Sequence, residues 1–534
     1  MQKRVVSALS APALLLAFLM SAGPAAAENV LRFKGMLGGA VTMDPHSCAT
    51  RYNQVATKQV YEALLDIDSN LAIVPQLALA WQPLDPTTWE FELRQDVTFH
   101  DGTSFTAEDV VFSIERAKAD TSDVPTRVAG IATVEAIDEY TVRITTVAPD
   151  PSLWLKLADV AIMSGAWADQ HGVTTPADYN GAREETYASR HANGTGPFML
   201  EDFEPQGRYV LVHNSYWWGK MEYPHNVDRV IHIAEGDAES LAALLEGEID
   251  LLQTPPYSAL DQIRRTAGLK LVHRPALATV FLGLDQGSAE LRTANVKGRN
   301  PFKDKRVRQA MFYTIDIEPI LGDLMGALLI PAGMLVAPGV NGYAPELDQP
   351  PPHDPERARA LLAEAGYPDG FSVTLDCPSE FGDDEIATCK GVAEQLGAVG
   401  IEVAVNFLST NELYGKLYKD RQSDFFLETS TMEPDPERML RERFSRDFWN
   451  VTGYANPRVD ELIEKIETEM VTYGRDAYLE EVWKIVTGDV VYLPIRHGVS
   501  VFAMRANLEI PPDPWDVPRF RLARFKEEAK SAQQ

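Results

Sequence analysis

Residues Trp89–Ala117 read "WEFELRQDVTFHDGTSFTAEDVVFSIERA". Trp89, Phe91 and Leu93 alternate with Glu90, Glu92 and Arg94, which predicts a strand with one buried and one wet face. His100-Asp101-Gly102 follows as a turn. Thr106 is placed to cap a helix, with Asp109 three residues on as a short capping-box acid. Val110, Val111 and Ile114 form the apolar stripe of that helix. The stretch is therefore strand, turn and capped helix. His100 has no nucleophile or orienting partner near it in sequence, so His100 and Asp101 are assigned structural tasks.

Working outward, strand-like and helix-like runs alternate along the chain, without repeats or low-complexity segments, as in an α/β protein. With 534 residues, 45% of them hydrophobic, the chain exceeds what one core holds, and at least two domains are expected. The formal charge of −29 makes phosphate backbones and anionic lipid poor partners, so no nucleic acid is expected. At the N-terminus, Lys3 and Arg4 precede the apolar run Ala13–Met20. Gly23, Pro24 and Ala25-Ala26-Ala27 follow. This reads as a secretory signal peptide over residues 1–27, cut before Glu28, with no cysteine there for a lipid anchor. Export to the periplasm as a soluble, monomeric protein is the expectation. No later run is apolar for long enough to cross a bilayer.

Motifs for catalysis fail one by one. There is no G-x-S-x-G elbow, no phosphate loop and no H-E-x-x-H. "DIDSN", Asp66 to Asn70, starts like a calcium loop, but Leu71 stands where glycine is needed and Leu77 where glutamate is needed. It is read as a turn between strands. "NGTGPF", Asn193–Phe198, holds only two glycines of a dinucleotide fingerprint, and Pro197 blocks the helix start. The histidines lack metal-ligand spacing. No catalytic residue, metal site or cofactor is expected. Cys377 closes a strand-like run and Cys389 lies in the next helical pattern. In an oxidising compartment they either pair, which stabilises by ~3 kcal/mol for so short a loop, or are two separate buried thiols. Cys48 is left over.

Seven segments occur in a telling order. They are "VYEALLDID", "PQLALAWQPLDPTTWEFELRQDVTFHDGTSFTAEDVVFSIERA", "GTGPFMLEDFEPQGRYVLVHNSYWWG", "NPFKDKRVRQAMFYTID", "HDPERARALLAEAGYPDG", "EQLGAVGIEV" and "NPRVDELIEK". Together they resemble the family 5 extracellular solute-binding proteins, which serve peptide, dipeptide, nickel and opine ABC importers. The resemblance implies a two-lobed α/β periplasmic binding protein fold with a hinge, and an extra subdomain in the first lobe that holds the opening stretch. It divides the chain into a first lobe of residues 28–62, 194–275 and 490–534, the extra subdomain of 63–193, and a second lobe of 276–489. The crossings are "VHRPALATVFLGLD" and "VVYLPIRHGVSVFAM", both apolar and extended.

The family implies capture of a small polar solute, most often a peptide, by lobe closure and delivery to a membrane permease. Oligosaccharide, opine and nickel chelate are the alternatives, and an exported hydrolase or chaperone reusing the fold is the other class. In the family's peptide binders an aspartate just before a Pro-Asp-Pro-like stretch holds the peptide amine. In "STMEPDP", Met432 occupies that place and Glu433 is adjacent. "CPSEFGDDEI" offers Phe381 and no basic residue. The expected cleft therefore has Cys48, Arg51 and Tyr52 from the first lobe and Thr431, Met432 and Glu433 from the second. Phe381 and Trp449 are its aromatic walls, with core packing as the competing reading for Met432 and Phe381. Arg51 is the expected cation for a ligand carboxylate and Glu433 the expected anion for an amine.

Overall fold

The computed structural model describes residues 28–35, 39–179, 181–234, 236–380, 382–446 and 449–526. The signal peptide and Phe381 lie outside the described residues. The opening stretch forms the strand Thr88–Leu93 and the helix Ala107–Ala117. Trp89, Phe91 and Leu93 are buried. The Thr106 N–H donates to Asp109 Oδ2 at 3.0 Å, which satisfies a donor at the helix start. His100 and Asp101 fasten the turn to the segment Asn193–Gly196. His100 Nε2 lies 3.0 Å from the Gly196 carbonyl, and Asn193 both donates to Asp101 Oδ2 and accepts from its N–H. Burial pushes the His100 imidazole down to about 4, so it stays neutral near pH 7.

Strand Thr88–Leu93 sits inside a four-stranded antiparallel sheet with Ala78–Asp85, Thr141–Thr146 and Ile131–Asp138. That sheet and helix Ala107–Ala117 enclose their own core, which runs from Leu64 to Ile162 in sequence. The Asp68 carboxylate accepts from the N–H groups of Asn70 and Ala72, so "DIDSN" is a turn between strands Leu65–Ile67 and Ile73–Pro75.

The rest of the chain is built on one large sheet. Its order is Ile401–Leu408, Phe371–Pro378, Phe425–Thr431, Leu269–Leu284, Tyr492–Arg505, Leu251–Gln253, Val30–Lys34, Arg229–His232, Tyr209–His213 and Phe198–Phe203. The strand Ile330–Pro331 pairs with Tyr492–Arg505 off this path. One end of the sheet packs as a first lobe around Phe33, Phe198, Tyr209, Phe502 and Phe520. At the other end the second lobe buries both faces. Leu282, Leu284, Leu375 and Val392 pack on one side, and Phe281, Phe426, Ile463 and Trp483 on the other. Burial on both faces explains why these strands read as continuous apolar runs.

The two long strands Leu269–Leu284 and Tyr492–Arg505 belong to both lobes. They pair antiparallel from Leu269↔Arg505 to Gly283↔Tyr492. The register shifts once between Pro275 and Thr279, where Ala276–Ala278 stand opposite Gly498, and again beside Phe281. A Cβ on Gly498 would sit 3.0 Å from the Ala278 Cβ, so a side chain there would force its neighbour to give by a few tenths of an ångström. Such bulges bend and twist a ribbon locally, which suits a hinge.

In the second lobe Cys377, at the end of its strand, is disulfide-bonded to Cys389 in helix Asp383–Gly397, with Cα atoms 6.6 Å apart. Cys48 is a buried free thiol. No described helix is long and apolar enough to cross a membrane.

Candidate functional site

A cavity of about 460 Å³ lies between the lobes, within the ~300–1,000 Å³ of small-molecule sites. Several pieces of chain wall it. Helix Arg51–Val60 contributes Arg51, Gln54 and Lys58, which the helical repeat puts on one face. The subdomain contributes Arg127 and Asp159. Strand Phe425–Thr431 ends at the cavity. It delivers Glu428 and Ser430, and the turn beyond it brings Met432 and Glu433. The C-terminal segment lays Asp513, Trp515 and Arg519 across the floor.

The wall is dense in charge, and almost all of that charge is paired. Lys58 Nζ is 2.7 Å from Asp159 Oδ1, and Arg127 is 3.1 Å from Asp159 Oδ2. Arg127 also reaches across to Glu433 Oε1 at 2.5 Å, where Arg438 adds a second cation at 3.5 Å. Arg443 grips Glu428 with both terminal nitrogens at 2.7 Å, and the Tyr418 hydroxyl donates to the same carboxylate. Arg519 holds Asp66 and Asp513, and Arg521 also contacts Asp66. Burial alone would raise the Asp159 carboxyl, but Lys58 and Arg127 outweigh it and hold it down at about 2. Against the cost of burial, their carboxylate partners raise the guanidinium pKa values of Arg127, Arg443 and Arg519.

Arg51 differs from these. Its Nη1 donates to the Trp515 carbonyl at 3.1 Å, and among the described residues no carboxylate lies within 4.0 Å of it. Burial lowers its pKa, because nearby carboxylates compensate only in part. It is a desolvated cation facing the cavity. Glu62 is the converse on the acidic side. It accepts from Thr195 Oγ1, Trp217 Nε1 and Trp218 Nε1 at 2.8, 3.0 and 2.8 Å, all neutral donors. Burial pushes its carboxyl up to about 7.

On the second lobe Tyr414, Tyr418 and Trp449 form an aromatic wall, with ring centroids 5.9 and 6.0 Å apart in sequence order. Trp515 closes the far side, and its Nε1 donates to the Met432 carbonyl at 3.3 Å.

Of the residues expected from sequence, Arg51, Thr431, Met432, Glu433 and Trp449 meet at this cavity. Cys48 and Tyr52 do not line it. Cys48 is turned into the protein, its sulfur 3.1 Å from Thr50 Oγ1, because "MDPH" is tied down instead: Arg116 donates twice to the buried Asp44 carboxylate. Met432 is also a core residue, with its N–H bonded to the Leu277 carbonyl. Asp435 of "PDP" is held by Arg475. Arg127, Tyr418, Glu428, Arg443 and Trp515 were not expected. Trp515, an aromatic residue between prolines in an extended tail, was the one with a local signal.

Residues 72–450 match the family model for bacterial extracellular solute-binding proteins, family 5 Middle. The glutathione-binding protein GsiB of Salmonella typhi is 27% identical over 469 residues, covering 84% of this chain and 85% of GsiB. Among solved structures, a putative peptide-binding protein AppA from Clostridium difficile superposes with a TM-score of 0.80 at 19% identity, covering 93% of this chain and 100% of AppA. DppA from Helicobacter pylori, in complex with the peptide STSA, gives 0.73 at 21% identity, with 94% and 98% covered. These two structural likenesses concern the fold.

Proposed function

Because this chain belongs to the bacterial extracellular solute-binding proteins of family 5, we propose that it is the capture component of an ABC importer whose ligand is a short peptide. In this reading the first lobe comprises residues 28–62, 194–275 and 490–534, the extra subdomain 63–193, and the second lobe 276–489. The protein works as a periplasmic monomer, hands its ligand to a membrane permease and carries out no chemistry. The observation that carries the reading is the cavity between the lobes, where the unpaired Arg51 of the first lobe faces the aromatic wall of the second. GsiB, by its name a binder of glutathione, favours a peptide over a sugar or a chelate.

The mechanism follows from binding energetics. Only the closed form offers ligand contacts from both lobes, so ligand shifts the population toward closure. A micromolar dissociation constant is worth ~8 kcal/mol, ample to bias a hinge whose two states differ by a few kcal/mol. The permease then reads the closed shape. Native mass spectrometry of the protein purified without refolding tests the ligand. A bound mass that fragments as a peptide of a few residues is expected. A bound sugar or metal chelate would refute the peptide assignment.

A further inference from the structure

The cavity wall offers an anchor for one end of a peptide and not for the other. Apart from Arg51, each cation on it has a carboxylate partner, and apart from Glu62, each carboxylate has a cation. Glu62 is closed off by its three donors. Glu433, the residue nearest the position where the family's peptide binders hold an amine, already touches Arg127 and Arg438. A ligand ammonium brought there would be a third cation beside two guanidinium groups. It would have to break an ion pair to gain one, with no net electrostatic return. Met432, at the aspartate's own place, has only a thioether to offer, and that thioether accepts from the Ala337 N–H inside the core. A ligand carboxylate has the opposite situation. Arg51 is half-buried, largely stripped of water and in contact with no carboxylate among the described residues, with guanidinium donors beyond the one on Trp515.

We propose that this cavity holds its ligand by the carboxylate alone, through Arg51, and that its ligands are short peptides whose amino end is blocked by acylation. The inference rests on the peptide reading given above. An acylated amino end brings no charge to the crowded Arg127–Glu433–Arg438 cluster. The acyl group and side chains can lie against Tyr414, Tyr418 and Trp449, where contact area is gained without any need for a counter-charge.

The test uses the full-length mature protein, stripped of bound ligand by reversible unfolding. It is mixed with an equimolar tripeptide library in four end states: free, N-acetylated, C-amidated and blocked at both ends. Retained species are quantified by native mass spectrometry. N-acetylated members are expected to be retained at least as well as free ones, within about twofold or better. C-amidated members should lose about tenfold to a hundredfold, the loss of a charge-assisted hydrogen-bonding partner. In Arg51→Gln the acid and amide forms should be retained equally. Should that variant fail to fold, the wild-type comparison decides alone. A tenfold loss on acetylation, with free tripeptides still bound, overturns this inference and leaves the peptide reading standing. No tripeptide retained in any end state overturns both.

Discussion

At the scale of single residues, the most consequential group outside the ligand anchor is Glu62. Its carboxyl is pushed by burial from the ordinary 4.5 to about 7, although Trp218, Thr195 and Trp217 all donate to it. The folded state therefore holds its proton more tightly than the unfolded chain between those pH values. Stability falls as pH rises through that window, and the full cost of the buried charge is present above about pH 7. The contribution is on the order of 3 kcal/mol over the window. Urea midpoints taken from pH 5 to pH 8 should decline in the natural protein. They should be flatter in Glu62→Gln, whose absolute stability is lower because an amide N–H₂ now faces an indole or hydroxyl donor. Parallel curves for the two proteins would exclude this role. The sequence displayed Glu62 plainly inside "VYEALLDID" yet hid its role, since Thr195 and the two tryptophans lie 133 to 156 positions away. Glu433 taught the same lesson in reverse. Its charge and its place at the cavity were legible, but its neutralisation was not, because Arg127 lies 306 positions from it.

At the scale of elements, local chemistry determines what forms, and distant chain determines how it pairs. The alternation in "TWEFELR", the Thr106–Asp109 cap and the apolar crossings are all local patterns, and each is found as read. The bulge that sets Ala276–Ala278 against Gly498 could not be read, because its two strands are more than 200 positions apart. Near the other end of the same ladder, Gly283 pairs with Phe426 of strand Phe425–Thr431, and a Cβ on Gly283 would lie 2.0 Å from Phe426 Cζ. Phe426 is fully buried and has no room to yield. Gly283→Ala should therefore cost about 1–3 kcal/mol through overpacking, read as a lower urea midpoint with an unchanged slope. A loss below about 0.5 kcal/mol, typical of surface positions, would mean that the second lobe repacks freely around this ring.

At the scale of the whole molecule, the lobes meet through a small set of polar contacts beside the cavity. Arg127 joins Asp159 to Glu433, Ser152 Oγ donates to Glu437 at 2.8 Å, and Lys156 lies 3.7 Å from the same glutamate. The contacts to Glu433 and Glu437 run from the subdomain to the second lobe, and the Trp515 Nε1 bond to the Met432 carbonyl adds one from the C-terminal segment. They link the two parts without any ligand contact. The pairs are partly solvated, so each is worth well under the ligand's own share, ~1 kcal/mol or less. That is still enough to shift a balanced hinge. Small-angle scattering of unliganded Arg127→Gln should give a larger radius of gyration than the natural protein, and the two should converge when ligand is added. Identical unliganded profiles would show that Arg127 does not bias the lobes. The two-lobed plan was accessible from sequence only through the family resemblance, because neither lobe is a continuous stretch of chain.

That discontinuity governs the order in which the molecule can assemble as it is synthesised. Strand Val30–Lys34 emerges first, yet its neighbour Leu251–Gln253 is completed only by Phe502–Met504 on the other side. The second lobe waits for the same stretch, since Leu269–Leu284 takes Tyr492–Arg505 as its partner. Among the described parts, only the subdomain core between Leu64 and Ile162 is contiguous enough to settle early. During synthesis both lobes are thus left with an open sheet edge until nearly the last residues have been made. Folding of the two lobes is tied to the last tenth of the chain, whereas the subdomain core is free of that constraint.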